Sequence, residues 1–80
     1  MDAPRHYDAL IDARGLACPL PLIRARQALM VLEVGATVAV LATDPAAQGD
    51  FERFSEASGH ELLSIEQADE AALIVLRKAG

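Results

Sequence analysis

Residues 36–43 read ATVAVLAT, an almost wholly apolar run that includes the β-branched residues Val38 and Val40. The length of the run and its β-branched content predict a buried strand. Asp44 and Pro45 follow directly, an order typical of a helix cap with proline at the first helical position. Because a buried strand here leads into a helix, the segments before and after this pair decide the fold class.

Upstream, residues 7–12 are a short strand candidate, and Gly15 indicates a turn that needs a positive φ. A helix is predicted from Pro19 onward, because apolar residues recur there at the spacing of one helical face. This stripe consists of Leu22, Ala25, Leu29 and Leu32. Gly35 is the predicted end of that helix.

Downstream, a second and less regular helix carries two phenylalanines on one face and ends at Gly59. Gly49 lies inside it and costs about 1 kcal/mol relative to alanine. Residues 61–66 alternate between apolar and polar, and residues 72–77 are mostly apolar, so both predict strands of a hairpin. The order strand, helix, strand, helix, strand, strand predicts an α/β sandwich with both helices on one face of the sheet.

Length and charge exclude several classes of protein. The chain has 80 residues and a net charge of −5, so we expect one domain over residues 1–80, with residues 1–6 frayed. An acidic chain of this kind is a poor binder of nucleic acids and anionic membranes, and is better suited to a basic partner. No apolar run approaches the ~18 residues of a membrane-spanning helix, and no signal peptide is apparent, so we expect a cytoplasmic protein.

Cys18 is the single cysteine, which excludes an internal disulfide and a metal site built on cysteine pairs. It is predicted at the N-cap of the first helix, with Pro19 at the first helical position and Pro21 in the first turn. The positive end of the helix dipole, with Arg14 nearby, predicts a lowered thiol pKa. Cys18 is therefore either a reactive, exposed thiol or a buried structural cysteine.

The sequence offers few side chains that could complete an active site around Cys18. A cysteine hydrolase needs a base beside the thiol, usually histidine, and only His6 and His60 are available. Both are expected to be solvated surface histidines. No spacing supports a zinc site, and no glycine-rich phosphate loop is present, so we predict no metal and no cofactor. A nucleophile with so little apparatus suggests a carrier whose chemistry other proteins complete.

Residues 12–21 read DARGLACPLP, a Cys-Pro-x-Pro motif just after an Asp-x-Arg-Gly-Leu stretch. With them, the sequence resembles the TusA-like sulfur-carrier family, also called SirA-like, over residues 10–76. Further matching positions are Thr43, Asp44, Pro45, Asp50, Phe54, Gly59, His60, Glu61 and Leu62.

The resemblance implies a two-layer sandwich of βαβαββ order with a four-stranded mixed sheet. It implies that Cys18 accepts sulfane sulfur as a persulfide, with Arg14, Gly15, Pro19 and Pro21 supporting the site. The implied partners are a sulfur donor, such as a cysteine desulfurase or rhodanese, and an acceptor protein. The acceptor would serve tRNA thiolation, molybdenum-cofactor maturation or sulfur oxidation.

The chain departs from the family pattern at the start of the second helix. A basic residue and a proline that are frequent there are replaced by Gln48-Gly49 and Glu52, which disfavours docking to the partners of tRNA thiolation.

Two further questions stay open at this point. A non-enzymatic regulatory or protein-interaction domain with the same fold is the alternative to a carrier, and a thiol redox module is disfavoured because no resolving cysteine is present. Residues 36–42 and 72–76 are apolar on both faces, so the face without helices either docks a partner or is ordinary exposed surface. We expect a monomer.

Overall fold

The protein is described by a computed structural model that covers residues 7–80, so the expected fraying of residues 1–6 lies outside the described residues. Four strands and two helices follow one another in the βαβαββ order that the sequence predicts. They are β1 (Ala9–Ala13), α1 (Leu20–Val31), β2 (Thr37–Ala42), α2 (Ala47–Ser58), β3 (Glu61–Ala68) and β4 (Ala71–Arg77).

The strands form one mixed sheet in the order β1-β2-β4-β3. β1 pairs with β2 in parallel, with Ile11 opposite Val40, and β4 is antiparallel to both β2 and β3. β1, β2 and β3 therefore run in one direction, and their carboxyl ends meet at one edge of the sheet. The crossovers β1-α1-β2 and β2-α2-β3 each join parallel strands and move the same way across the sheet, so the right-handed rule places both helices on one face. The predicted fold class is confirmed.

The core lies between this face and the helices. α1 contributes Ala25 and Leu29, both at most 2% exposed, and α2 contributes the fully buried Phe51. Leu22 and Leu32 are half-buried against the same cluster, so the apolar stripe predicted for α1 is confirmed. The sheet side of the cluster consists of Ala13, Val38, Val40, Ala42, Ile74 and Leu76.

The starts of the helices differ from the predicted ones. α1 begins at Leu20, one residue later than predicted, because the Leu20 N–H closes a turn by donating to the carbonyl oxygen of Ala17 at 2.8 Å. α2 begins at Ala47, beyond the predicted Asp44-Pro45 cap. Asp44 Oδ1 instead accepts the N–H of Ala46 at 2.8 Å, so its side chain closes the turn before the helix.

The face without helices is apolar on its central strands β2 and β4, where it carries Ala39, Leu41, Leu73 and Val75. Ala39 and Val75 are buried there by their neighbours, whereas Leu10 on β1 and Leu63 on β3 are 63% and 39% exposed. No helix within residues 7–80 is long and apolar enough to cross a membrane.

Candidate functional site

Two loops that leave the carboxyl ends of β1 and β2 come together at one edge of the sheet. Gly15 turns the first loop with a φ of 81°, as predicted, and its N–H donates to Thr43 Oγ1 at 2.9 Å. The N–H of Cys18 donates to Asp44 Oδ2 at 2.8 Å. The loop that holds the cysteine is therefore tied by its backbone to the residues that follow β2.

Cys18 is a free, exposed cysteine immediately before Pro19, the N-cap of α1, and the peptide bond between them is cis. Its thiol donates a hydrogen bond to Asp50 Oδ2 at 2.5 Å. The other oxygen of that carboxylate, Oδ1, accepts a hydrogen bond from Arg53 Nη2 at 2.7 Å. Asp50 and Arg53 lie one helical turn apart on α2, and the Asp50 carboxylate is shared by a thiol and a guanidinium.

These contacts raise the pKa of the Cys18 thiol above its ordinary value. The largest cause is the hydrogen bond to Asp50, followed by desolvation of the thiol and by the negative charges of Asp50 and Asp44. Arg53 acts in the opposite direction. The thiolate that the helix dipole and Arg14 were expected to favour is therefore disfavoured, because two carboxylates from another part of the chain lie closer to the sulfur.

Arg14 is held by a different carboxylate. Its Nε and Nη2 donate to the two oxygens of Asp12 at 2.8 and 2.7 Å, a bidentate pair that lowers the pKa of Asp12 to about 2. Arg14 also lines a surface cleft with Asp69 and Glu70 of the β3–β4 turn. Its contribution to the site is to fix the loop after β1, since its charge is already paired.

The two prolines differ in role. Pro19 is the exposed N-cap residue next to the thiol, whereas Pro21, in the first turn of α1, is fully buried in the core. Pro21 therefore anchors the start of α1 against the sheet as well as stiffening it. Leu20 and Ile23 of the same helix are 43% and 39% exposed, so the first turn of α1 presents apolar surface.

His60 is not the solvated histidine that the sequence suggested. It is half-buried at the far end of α2 from Asp50, its Nδ1 accepts the N–H of Ala79 at 3.0 Å, and its ring lies 5.7 Å from that of Phe54. These contacts make it a structural residue, and His6 lies outside the described residues. Within residues 7–80, no group of three His, Cys, Asp or Glu side chains is placed to hold a metal ion.

Asp50 and Arg53 were not among the predicted site residues, and Asp44 was predicted only as a helix cap. The two aspartates could have been predicted as site residues from the order of the strands and helices. β1 and β2 were both predicted to precede helices on one face, so the segments after them begin at the same sheet edge. Carboxylates that follow β2 within a few residues are therefore candidates for contact with a cysteine that follows β1.

The arrangement presents one accessible sulfur nucleophile and two carboxylates. Such a site can exchange a group at sulfur with a partner that brings its own reactive groups.

Comparison with known proteins gives a consistent result. A family model described as Sulfurtransferase TusA matches residues 9–78. The Sulfur carrier protein TusA of Allochromatium vinosum is 42% identical over 57 residues, which cover 71% of this chain and 75% of that protein. The Sulfur carrier protein TusA of Pseudomonas putida is 38% identical over 71 residues, or 89% of each chain.

Among solved structures, a SirA-like protein from Desulfitobacterium hafniense has a similar fold. Its TM-score is 0.77 at 27% identity, and the match covers 90% of this chain and 99% of that one. The family match spans both helices and all four strands, including the loop that carries Cys18. The chain belongs to the TusA family of sulfurtransferases.

Proposed function

We propose that this protein is a sulfur carrier that accepts sulfane sulfur as a persulfide on Cys18 and passes it to an acceptor protein. The observation that carries the proposal is an exposed free cysteine, held by its backbone at the start of α1, in a chain whose relatives are named sulfur carriers. Gly15, Pro19 and Pro21 support the site by shaping the loop around the sulfur, and Arg14 supports it through Asp12.

Loading is a transfer of sulfur between thiols without net oxidation. The Cys18 thiolate attacks the outer sulfur of a donor persulfide, a new sulfur–sulfur bond forms, and the donor leaves as a thiolate when its own sulfur–sulfur bond breaks. Unloading repeats this step, with an acceptor thiolate attacking the outer sulfur of the Cys18 persulfide. As in thiol–disulfide exchange, the rate depends on the thiolate fraction and on access to the sulfur.

The partners proposed here are those that the resemblance to the family implies. A donor such as a cysteine desulfurase or a rhodanese supplies the persulfide, and an acceptor protein takes it for tRNA thiolation, molybdenum-cofactor maturation or sulfur oxidation. The protein itself acts in the cytoplasm as a carrier for partner enzymes. The net charge of −5 suits docking to a basic partner surface.

The test is the intact mass of the protein after incubation with a cysteine desulfurase and cysteine, or with a polysulfide. Wild type is expected to gain one sulfur atom that a reductant removes, and Cys18→Ser is expected to gain none. Because Cys18 is exposed, the substitution should leave the thermal midpoint of unfolding nearly unchanged. Unfolding of Cys18→Ser would instead assign the cysteine a structural role.

The alternative is a regulatory or protein-interaction domain. Absence of a sulfur adduct on wild type with both donors, while iodoacetamide still alkylates the thiol, would favour that alternative.

A further inference from the structure

The contact between Cys18 and Asp50 is the feature of this site that the proposed function does not explain. An ionised carboxylate can only accept a hydrogen bond, so in the contact between Sγ and Oδ2, at 2.5 Å, the thiol is the donor. Ionisation of the thiol would place two negative charges at hydrogen-bonding distance. The contact therefore fits the neutral thiol and opposes the thiolate.

The carboxylate is itself held in place. The Asp50 side chain is only 16% exposed, and its second oxygen is bound by Arg53, whose side chain is 73% exposed. Because Arg53 binds Oδ1, the other carboxylate oxygen, Oδ2, is left directed at the sulfur. The charged groups that act on the thiol are Asp44 from the loop after β2, and Asp50 and Arg53 from α2.

We propose that Asp50 is a positioning residue that holds Cys18 as a neutral, oriented thiol in the sulfur-free carrier. This proposal rests on the proposed function and concerns the regulation of the same site. The hydrogen bond is specific to the empty state, since the inner sulfur of a persulfide carries no proton to donate. An empty carrier is thereby less reactive toward adventitious electrophiles, and a sulfur donor has to displace the contact before the thiol can attack.

The test is the pH dependence of Cys18 alkylation by iodoacetamide, an uncharged reagent that reads the thiolate without an electrostatic bias of its own. Asp50→Asn is expected to move the midpoint of the pH–rate profile to lower pH. The removal of a like charge at this distance should raise the thiolate fraction at neutral pH by about tenfold or more. The rate gain will be smaller, about threefold for each tenfold in thiolate, because less basic thiolates are weaker nucleophiles.

Two further variants make the result specific. Glu52→Gln removes one negative charge from an exposed position on α2, two residues from Asp50, and should leave the midpoint unchanged. Arg53→Gln removes the cation that opposes Asp50 and should move the midpoint to higher pH. Because Arg53 is largely exposed, this variant keeps the test decisive even if Asp50→Asn fails to fold.

The proposal is overturned if Asp50→Asn leaves the midpoint where wild type has it, or shifts it no more than Glu52→Gln does. A shift of Arg53→Gln in the same direction as Asp50→Asn would also contradict it. Alkylation is measured on the sulfur-free protein. It therefore reports the effect of Asp50 on the Cys18 thiol whether or not the protein functions as a sulfur carrier. Absence of the sulfur adduct on wild type would remove the proposed function and leave the alkylation result standing.

Discussion

At the scale of single residues, the chemistry of Cys18 depends on two carboxylates with separate tasks. Asp44 accepts a hydrogen bond from the main-chain N–H of the cysteine and fixes where the loop lies, whereas Asp50 accepts a hydrogen bond from the thiol. The N–H of Cys18, followed by that of Ala46, lowers the pKa of Asp44, because both hydrogen bonds favour the ionised carboxylate. Asp44 thus fixes the backbone of the cysteine, and Asp50 has the larger effect on the protonation of its sulfur.

Asp44→Asn is expected to lower the thermal midpoint of unfolding by a few degrees at pH 7. An amide has one accepting oxygen where the carboxylate has two, so either Cys18 or Ala46 loses its side-chain acceptor. The folded-state pKa of Asp44 lies below the unfolded value near 3.9, so its stabilisation is present above about pH 4 and is lost as the pH falls through the folded-state pKa.

Thermal melts of wild type and Asp44→Asn at pH 7, 5 and 3 would check this. The difference between the two proteins should shrink at the lowest pH. Glu56→Gln, an exposed charge change on α2, serves as the control and should melt like wild type at pH 7. An Asp44→Asn difference that stays constant down to pH 3 would mean that the carboxylate charge is not what stabilises the loop.

The sequence allowed Cys18 and its prolines to be predicted because they form one contiguous motif. The contacts of Asp50 and Arg53 could not be predicted in the same way, since they depend on where α2 lies relative to the loop after β1. Arg14 was expected to add positive charge near the thiol, but its guanidinium is bound by a carboxylate close to it in sequence. Asp12, two residues earlier, competes for the guanidinium and binds it in bidentate geometry.

At the scale of elements, the hydrophobic patterns were sufficient to predict all six helices and strands of the described residues, and their ends were the weak point. The ends depend on single hydrogen bonds, such as that from Leu20 N–H to Ala17, which leave no trace in a periodic pattern. α2 was the least regular prediction because Gly49 interrupts its start. Its end was clear, since Gly59 adopts the left-handed conformation with a φ of 85° and its N–H donates to the carbonyl oxygen of Ser55 at 3.0 Å.

The two glycines of this helix should respond to alanine in opposite ways. Gly49→Ala should raise the free energy of unfolding by about 0.5–1 kcal/mol, because alanine loses less backbone entropy in a helix. The nearest atom to the new Cβ would be Nη1 of the Arg53 guanidinium, at the contact distance of 3.4 Å. Gly59→Ala should lower the free energy of unfolding by about 1–2 kcal/mol, because a left-handed conformation strains any residue with a Cβ.

Urea unfolding of both variants beside wild type would measure the two changes. Gly59 has no atom within 4 Å of the position its Cβ would take, so any loss there comes from the backbone and not from a clash. Destabilisation by Gly49→Ala would contradict the regular helical start that the structure gives to α2.

At the scale of the whole molecule, the fold is a thin plate with principal extents of 35 × 29 × 18 Å, one layer of helices on one sheet. The thiol lies at the edge where the loops after β1 and β2 meet, so a partner can approach it without covering the open face of the sheet. That open face is therefore available for a separate role or for none. The net charge of the chain and the ion pairs at this face decide whether a second copy of the chain binds there.

We expect the protein to be a monomer at high concentration and neutral pH. Stacking two open faces would bring together chains that each carry a net charge of −5. It would also bury the ion pairs of Arg14 with Asp12 and of Arg77 with Glu61, at a desolvation cost that their mutual attraction does not reliably offset. Leu10 and Leu63 lie on opposite edge strands, and the half-buried Leu41 and Leu73 lie between them on the central strands.

Sedimentation equilibrium at low and at high salt would test the monomer. A single species of about the mass of one chain is expected in both, because stacking two open faces would desolvate the ion pairs that border them. A dimer that forms only at high salt would show that charge repulsion alone keeps the faces apart, and that the apolar surface is sufficient for association. In that case Leu10→Asp, which places a charge on the exposed edge of β1, should restore the monomer and would identify the open face as the interface.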